Sequence, residues 1–389
     1  MEERDNCLQI DVGRPTWADI DLGALKHNLD QVRSLLHPSQ RVMAVVKADA
    51  YGHGAVPVTR SLVRAGVVDF AVATLEEGQA LRQAGVDQHI LVLGGCFPGQ
   101  EEALLRDSLM VALFDLETAE RLNRAAVGKR QLISVHLKID TGMGRVGFSP
   151  DQLRAALPRL KEMPGLIIRG VMSHFACADD RQSPVSAAQQ RLFAELVDLV
   201  RSSGINPVDF HLSNSAGISA HYCPECTLVR PGIMLYGGLP GEDYASMLDL
   251  LPVMHLRTRI ALLRELPAGS GISYGHCYRA DRTIKMAVLP IGYADGFNRL
   301  LSNIGRGIVR GRMAPVIGRV CMDWTMLDVS SVTGVAVGDP VTLLGSSRGM
   351  TITGDEVAAQ LDTISYEVYC RIGPRVPRRY HDVPESGCQ

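Results

Sequence analysis

This chain lacks any stretch approaching the roughly 18 consecutive apolar residues of a membrane-spanning helix, so no transmembrane segment is expected. It also lacks a strong charge of either sign. Its formal net charge of −2 offers no electrostatic case for nucleic acid or an anionic membrane surface. The opening residues Met1–Ile10 are polar and acidic and carry no apolar run of signal-peptide type, so a cytoplasmic location is expected. No G-x-G-x-x-G follows the first candidate strand, which removes the main support for a dinucleotide-binding, doubly wound sheet. Nine cysteines are scattered without metal-ligand spacing. Cys223-Pro-Glu-Cys226 has the C-x-x-C form, but no second pair and no histidine cluster accompany it. It reads as a turn with two reduced thiols rather than a zinc or redox centre. There is no internal repeat, low-complexity tract or long charge block.

What the chain does have is length and alternation. Its 389 residues, 46% hydrophobic and 21% charged, suit a globular protein of two domains. From about Thr16 to Gly238, short apolar runs alternate with amphipathic stretches. The strand candidates are 41–47, 68–74, 89–94, 110–114, 133–140, 167–174, 208–213 and 227–236. Helical stretches such as Val56–Ala65, Leu75–Ala84, Leu116–Ala126, Gln152–Glu162 and Ser186–Ser202 lie between them, several ending near a glycine. Eight strand–helix steps in this span predict an α/β (β/α)₈ barrel. After about Leu250, alternating or apolar segments separated by glycine and proline predict a mainly β domain: Met254–Glu265, Lys285–Leu289, Gly307–Arg310, Ala314–Val329 and Pro340–Leu344. Only Asp355–Gln360 reads as helical there. The expected domains are thus a barrel over 15–250 and a β-rich domain over 251–389, with residues 1–14 as an extension able to pack with it.

In a barrel the reacting groups sit at the carboxyl ends of the strands. Lys47 ends the first candidate strand, and a lysine closing a buried strand is costly to desolvate unless it serves imine chemistry or a fixed anion. Snorkelling to solvent is the plain alternative. Lys138 and Asp140 end the fifth strand, His174 the sixth, Asn214 and Ser215 follow the seventh, and Arg230 lies in the eighth before Pro231-Gly232. Ser215-Ala-Gly217 would open a helix whose N–H groups and hydroxyl suit phosphate, although a simple N-cap serine reads the same way. Gly232 would let backbone approach the same phosphate. Arg230, inside a barrel strand, needs an acceptor, and a structural ion pair is the plain reading. His174 reads plainly as a satisfied core histidine.

The string Ala44-Val-Val-Lys-Ala-Asp-Ala-Tyr-Gly-His-Gly54 resembles the pyridoxal-phosphate lysine motif of bacterial alanine racemases, and the resemblance covers essentially residues 14 to 380. It extends through Pro15–Asp21, Met143–Gly147, Ile272-Ser-Tyr-Gly275, Leu289–Gly296, Gly318–Asp323 and Tyr366-Glu367. It implies a fold-type III enzyme that uses pyridoxal 5'-phosphate to interconvert L- and D-alanine, supplying D-alanine for peptidoglycan. By the same resemblance, Lys47 and Tyr274 serve opposite faces of the substrate, and Tyr51, Ser215, Gly232, Ile233, Asn214 and Tyr366 surround the cofactor and its phosphate. Arg230, supported by His174, faces the pyridine nitrogen. Arg145 lies near the phenolic oxygen and the substrate, and the Met322 backbone N–H receives the substrate carboxylate. Asp323 orders the loop around Met322, although a solvent-facing turn carboxylate reads the same way, and Tyr293 narrows the entry. Lys138 stands where some relatives carry a carbamylated lysine, although an ordinary lysine paired with Asp140 fits as well. The family further implies a head-to-tail homodimer in which Tyr274 reaches the partner's lysine. Alanine is the implied small-molecule partner, with no nucleic acid, membrane or metal. Three alternatives stand beside this reading: a broad-specificity racemase, a serine racemase, and a non-catalytic pyridoxal-phosphate carrier barrel, which would lack the β domain.

Overall fold

The structure, a computed structural model, describes residues 13–220, 223 and 226–382. Most of the N-terminal extension and the tail 385–389 lie outside the described residues, as does part of the C-x-x-C segment. The chain forms two compact units. One spans Leu22–Leu251. The other runs from Pro252 and takes in the early strand β1 (Thr16–Asp21).

The first unit is an eight-stranded parallel barrel. Its strands are β2 (Arg41–Val45), β3 (Asp69–Val72), β4 (His89–Val92), β5 (Met110–Leu113), β6 (Ile133–Lys138), β7 (Leu166–Met172), β8 (Asp209–His211) and β9 (Leu228–Val229). Neighbours pair in order from β2 to β8, and β9 pairs β2. The ring is completed between β8 and β9, where Thr227 N–H donates to the Phe210 carbonyl (2.8 Å) and Arg230 N–H to the Ser213 carbonyl (2.9 Å). Strands β3 and β5 are buried along their whole length, as expected of parallel strands covered on both faces. The helices start where their sequence dictates. Ser149 and Gln152 form a capping box that opens Pro150–Lys161, and Asp115 caps Leu116–Lys129 by accepting from Thr118 N–H at 2.7 Å.

Two expectations need correction here. Strand 227–236 is cut short after Val229, because Pro231 has no N–H to donate and Ile233–Tyr236 winds into a 3₁₀ helix. The expected barrel start at residue 15 moves to Leu22, because β1 belongs to the other unit's sheet.

In that second unit β1 pairs antiparallel with β10 (Met254–Arg259) and parallel with Arg378–His381. The sheet continues through Pro340–Ser347 to the hairpin Arg306–Val309 and Arg312–Pro315. A separate antiparallel sheet joins Leu262–Leu266, Ile284–Leu289 and Thr325–Asp328. The single run read at Met254–Glu265 is therefore two strands in two sheets, and Ala314–Val329 is likewise split. A second helix, Ser365–Cys370, adds to the one expected near 355–360.

Candidate active site

Lys47 stands just past β2, at the head of a helical turn, Lys47–Tyr51. Ala48, Asp49, Ala50 and Tyr51 all have φ between 52° and 54°, a left-handed turn built without glycine. Such geometry costs about 1–2 kcal/mol per residue, so it persists only where its surroundings impose it. Glu77 accepts from Ala48 N–H (2.6 Å), the Asp49 carboxylate accepts from Ala55 N–H (2.7 Å), and Gly54 N–H closes on the Asp49 carbonyl (2.8 Å). The buried Tyr51 ring packs on Tyr236 at 4.8 Å between centroids, and the Tyr236 hydroxyl donates to the Val45 carbonyl at 2.9 Å. The turn thus fixes Lys47 and Tyr51 relative to the end of β2.

Across the rim, Arg230 is 3% exposed. Its Nη2 donates to the Ser173 carbonyl (2.7 Å), the Leu212 carbonyl (3.1 Å) and His174 Nδ1 (3.1 Å), and its Nη1 donates to His211 Nδ1 (2.9 Å). Burial lowers its pKa to about 10, so it remains a cation at neutrality. His174 is held far below the ordinary imidazole range, first by burial and then by the charges of Arg230, Lys138, Arg145 and Lys47. Its ring is therefore a neutral acceptor for Arg230. Lys138 is buried, with no hydrogen-bond partner for its Nζ among the described residues. Burial, then Arg230 and Arg145, lower its pKa to about 7. Asp140 does not hydrogen-bond it. That carboxylate accepts from the N–H groups of Gly142 (2.9 Å), Met143 (2.9 Å) and Gly144 (3.1 Å) and shapes the loop carrying Arg145.

The phosphate candidates also converge. Ser215 opens the helix Ser215–Ala220, and its Oγ accepts from Gly232 N–H at 2.9 Å and Met234 N–H at 3.5 Å. Asn214 accepts from Gly217 N–H at 2.9 Å. A Cβ built on Gly232 would lie 2.4 Å from the Tyr51 hydroxyl, so only glycine allows Tyr51 to approach this closely. Ile233, fully buried, begins the 3₁₀ helix behind it. The barrel rim therefore gathers Lys47, Lys138, Arg145 and Arg230 with Tyr51, Ser215 and Gly232. A dianionic phosphate with an attached phenolate and an acceptor ring nitrogen fits that donor set.

The remaining candidates lie in the β unit. Tyr274 begins a 3₁₀ turn, Tyr274–His276, and is 71% exposed. Ser273, Gly275 and His276 all have positive φ, and the turn is pinned where Ser273 Oγ donates to the Arg319 carbonyl (2.7 Å) and Arg319 Nε to the Tyr274 carbonyl (3.2 Å). Tyr293 N–H donates to the Cys321 carbonyl (3.0 Å) and Ala294 N–H to the Met322 carbonyl (3.1 Å), so Tyr293 and Met322 occupy adjoining, half-exposed backbone. A Cβ on Gly292 would sit 2.2 Å from the Cys321 oxygen, which explains glycine at that approach. Asp323 is paired with Arg375 at 2.6 Å. Tyr366 lies on Ser365–Cys370 and is half-buried. Two residues escaped the sequence reading: the fully buried His136 and His211, which hydrogen-bond each other at 2.8 Å. His136 lies two residues from Lys138 on one strand, hence on the same strand face. That spacing was the available signal.

Among the described residues, no helix is long and apolar enough to cross a membrane, and no cluster of three or more potential metal ligands occurs. Residues 20–240 match the family model of the alanine racemase N-terminal domain, and residues 253–380 that of the C-terminal domain. An alanine racemase of Halothermothrix orenii is 45% identical over 369 residues, covering 95% of this chain and 97% of the relative. One from Geobacter sulfurreducens is 45% identical over 371 residues, covering 94% and 97%. The solved alanine racemase of Clostridium difficile 630 superposes with a TM-score of 0.90 at 35% identity, covering 95% of this chain and 97% of that one. A lysine-bearing barrel followed by this β domain, matched along nearly the whole length of named relatives, assigns the chain to the alanine racemase family, isomerases that act on amino acids.

Proposed function

We propose that this protein interconverts L- and D-alanine by proton transfer at Cα, with pyridoxal 5'-phosphate held on the barrel rim. The observation that carries the proposal is the buried cation set of Lys138 and Arg230 beside Lys47 and a glycine-bounded cradle. The cradle of Ser215, Gly232 and Tyr51 would take the phosphate, with Ile233, Asn214 and Tyr366 around it. Bound there, the cofactor supplies an electron-withdrawing ring conjugated with the amino acid's Cα. Arg230 keeps its protons and can only donate, so it would leave the ring nitrogen unprotonated. That weakens electron withdrawal and favours return of the proton to Cα. The Lys47 amine would hold the cofactor and then exchange a proton on one face of Cα. Tyr274 would exchange a proton on the other. Inversion requires both, because a single base would return the proton to the face it left.

Arg145 and the Met322 N–H would receive the substrate carboxylate, with Asp323 ordering that loop and Tyr293 bounding the entry. Lys138, with a pKa of about 7 and an unpartnered amine, is partly neutral near pH 7 and therefore nucleophilic. We propose that CO₂ adds to this neutral amine with release of one proton, giving a carbamate whose carboxylate would satisfy Arg145. The exposure of Tyr274 on its own chain supports a two-fold dimer in which it completes the partner's site. Alanine is favoured by small size, though a tyrosine-bounded pocket separates alanine from serine only weakly. A cytoplasmic enzyme of this kind would supply D-alanine for cell-wall peptidoglycan.

The test combines chiral product analysis with spectroscopy. Adding pyridoxal phosphate should produce a visible absorbance that requires Lys47, and L-alanine should equilibrate with D-alanine. Absorbance without inversion would contradict the racemase reading, and absence of both would remove the cofactor as well. ¹³C-bicarbonate should give a carbamate carbon signal that Lys138→Ala abolishes.

A further inference from the structure

Below Arg230 the barrel interior carries a column of two histidines that the reaction does not touch. Arg230 Nη1 bonds His211 Nδ1 at 2.9 Å, and His211 Nε2 bonds His136 Nδ1 at 2.8 Å. The rings meet edge to face, 76° apart with centroids 5.0 Å apart, and both residues are completely buried. His136 Nε2 has no hydrogen-bond partner among the described residues. The strands are shaped around this ring. The β6–β7 register shifts between Val135 and His136, and a Cβ on the facing Gly170 would lie 2.3 Å from His136 Nδ1. A bulge and a glycine at one ring mark a built position.

Proton inventory then fixes the chemistry. A guanidinium only donates, so His211 Nδ1 accepts and its single proton sits on Nε2. That N–H donates to His136 Nδ1, which places the His136 proton on Nε2. Protonating either ring would set donor against donor. Burial acts in the same direction, ahead of the charges of Arg230, Lys138, Arg169 and His89, and only Asp209 opposes it at His136. A carboxylate in place of His211 would cancel the charge of Arg230, whereas a neutral ring holds the guanidinium and leaves its field intact.

We infer that His211 and His136 are positioning residues: a neutral pair locked in one tautomer that fixes the orientation of Arg230 without neutralising it. This rests on the reading in which Arg230 faces the cofactor ring. The pair itself can be examined without cofactor. In cofactor-free protein labelled with ¹⁵N-histidine, both rings should show protonated Nε2 and bare Nδ1, unchanged from pH 8 to 5.5. Losses of signal in His136→Asn and His211→Asn would identify them. His53, whose Nδ1 faces the Ala50 and Tyr51 carbonyls at 3.0 Å, should show the opposite tautomer. A protonated Nδ1 at either ring, or titration near pH 6, would overturn the inference.

In the loaded enzyme, asparagine places its oxygen where His211 Nδ1 lies, while glutamine reaches instead toward the Nε2 position. His211→Gln should lower kcat roughly 10–100-fold at little-changed KM, the range for losing an orienting partner, and shift the cofactor absorbance. His211→Asn should do neither. Equal effects of the two substitutions with unchanged spectra would leave only packing and sink the proposal. Wild-type protein that forms no lysine-linked absorbance would instead defeat the functional reading, with the tautomer result standing apart.

Discussion

The two ends of the barrel handle buried charge in opposite ways. At the amino end of the strands, Arg41 bonds Asp209 (2.8 Å) and Asp69 (3.3 Å), Arg169 bonds Asp209 (2.8 Å), and His89 bonds Asp69 (2.9 Å). Burial works against the charge of Arg41, but its carboxylate partners outweigh that and raise its pKa. At the carboxyl end, Arg230 bonds two carbonyls and two neutral rings, the Lys138 amine bonds no described residue, and the pKa values of both are depressed. One sheet thus carries a self-neutralised end and an end short of anions. The first holds the barrel together, and the second carries the charge that suits the anionic ligand proposed for it.

Substitutions should separate the ends. Lys47→Ala should lower racemisation by more than about 10⁴-fold, because it removes both the cofactor attachment and one base, while the melting temperature of the cofactor-free protein stays near wild type. Tyr274→Phe should cost roughly 10²–10⁴-fold in kcat and leave cofactor absorbance intact. Asp209→Asn reverses the pattern. It should lose roughly 2–3 kcal/mol in denaturant titrations by unpairing buried charge, with kcat little altered. Equal kinetic damage from Asp209→Asn and Tyr274→Phe would break the distinction.

Acid should strain the column between the two ends. The folded-state pKa of His136 is about 4, below the ordinary 6.5, so the unfolded chain binds the proton first. Stability is full above pH 6.5 and falls as pH drops toward 4, by on the order of 3 kcal/mol from this group. His136→Asn should flatten that slope in denaturation measured at pH 7.5 and 5. The smallest effect belongs to Arg375→Ala. Losing an ion pair to half-exposed Asp323 should change stability by less than about 1 kcal/mol and raise KM for alanine only a few-fold through the Met322 loop, a shift that steady-state kinetics can resolve.

The rim was legible in the sequence because strand ends are marked by chemistry: an apolar run stopped by Lys47, by Lys138, or by Arg230 before Pro231. The left-handed turn at Ala48–Tyr51 was not, because nothing local favours positive φ at alanine, and the contacts of Glu77 and Asp49 impose it. Strand β1 escaped the domain reading because its partners are more than two hundred residues away in sequence. His136 and His211 escaped it, since pattern alone places a histidine on a face but cannot say which ring it meets.

The most direct test of the central claim, a reaction using Lys47 of one chain and Tyr274 of its partner, is subunit complementation. Lys47→Ala and Tyr274→Phe proteins, each inactive alone, are mixed under subunit exchange and assayed for L- to D-alanine conversion. The account predicts recovery of about a quarter of wild-type activity, because half the dimers are mixed and each carries one intact site. No recovery despite verified exchange would place both groups on the same chain and contradict it.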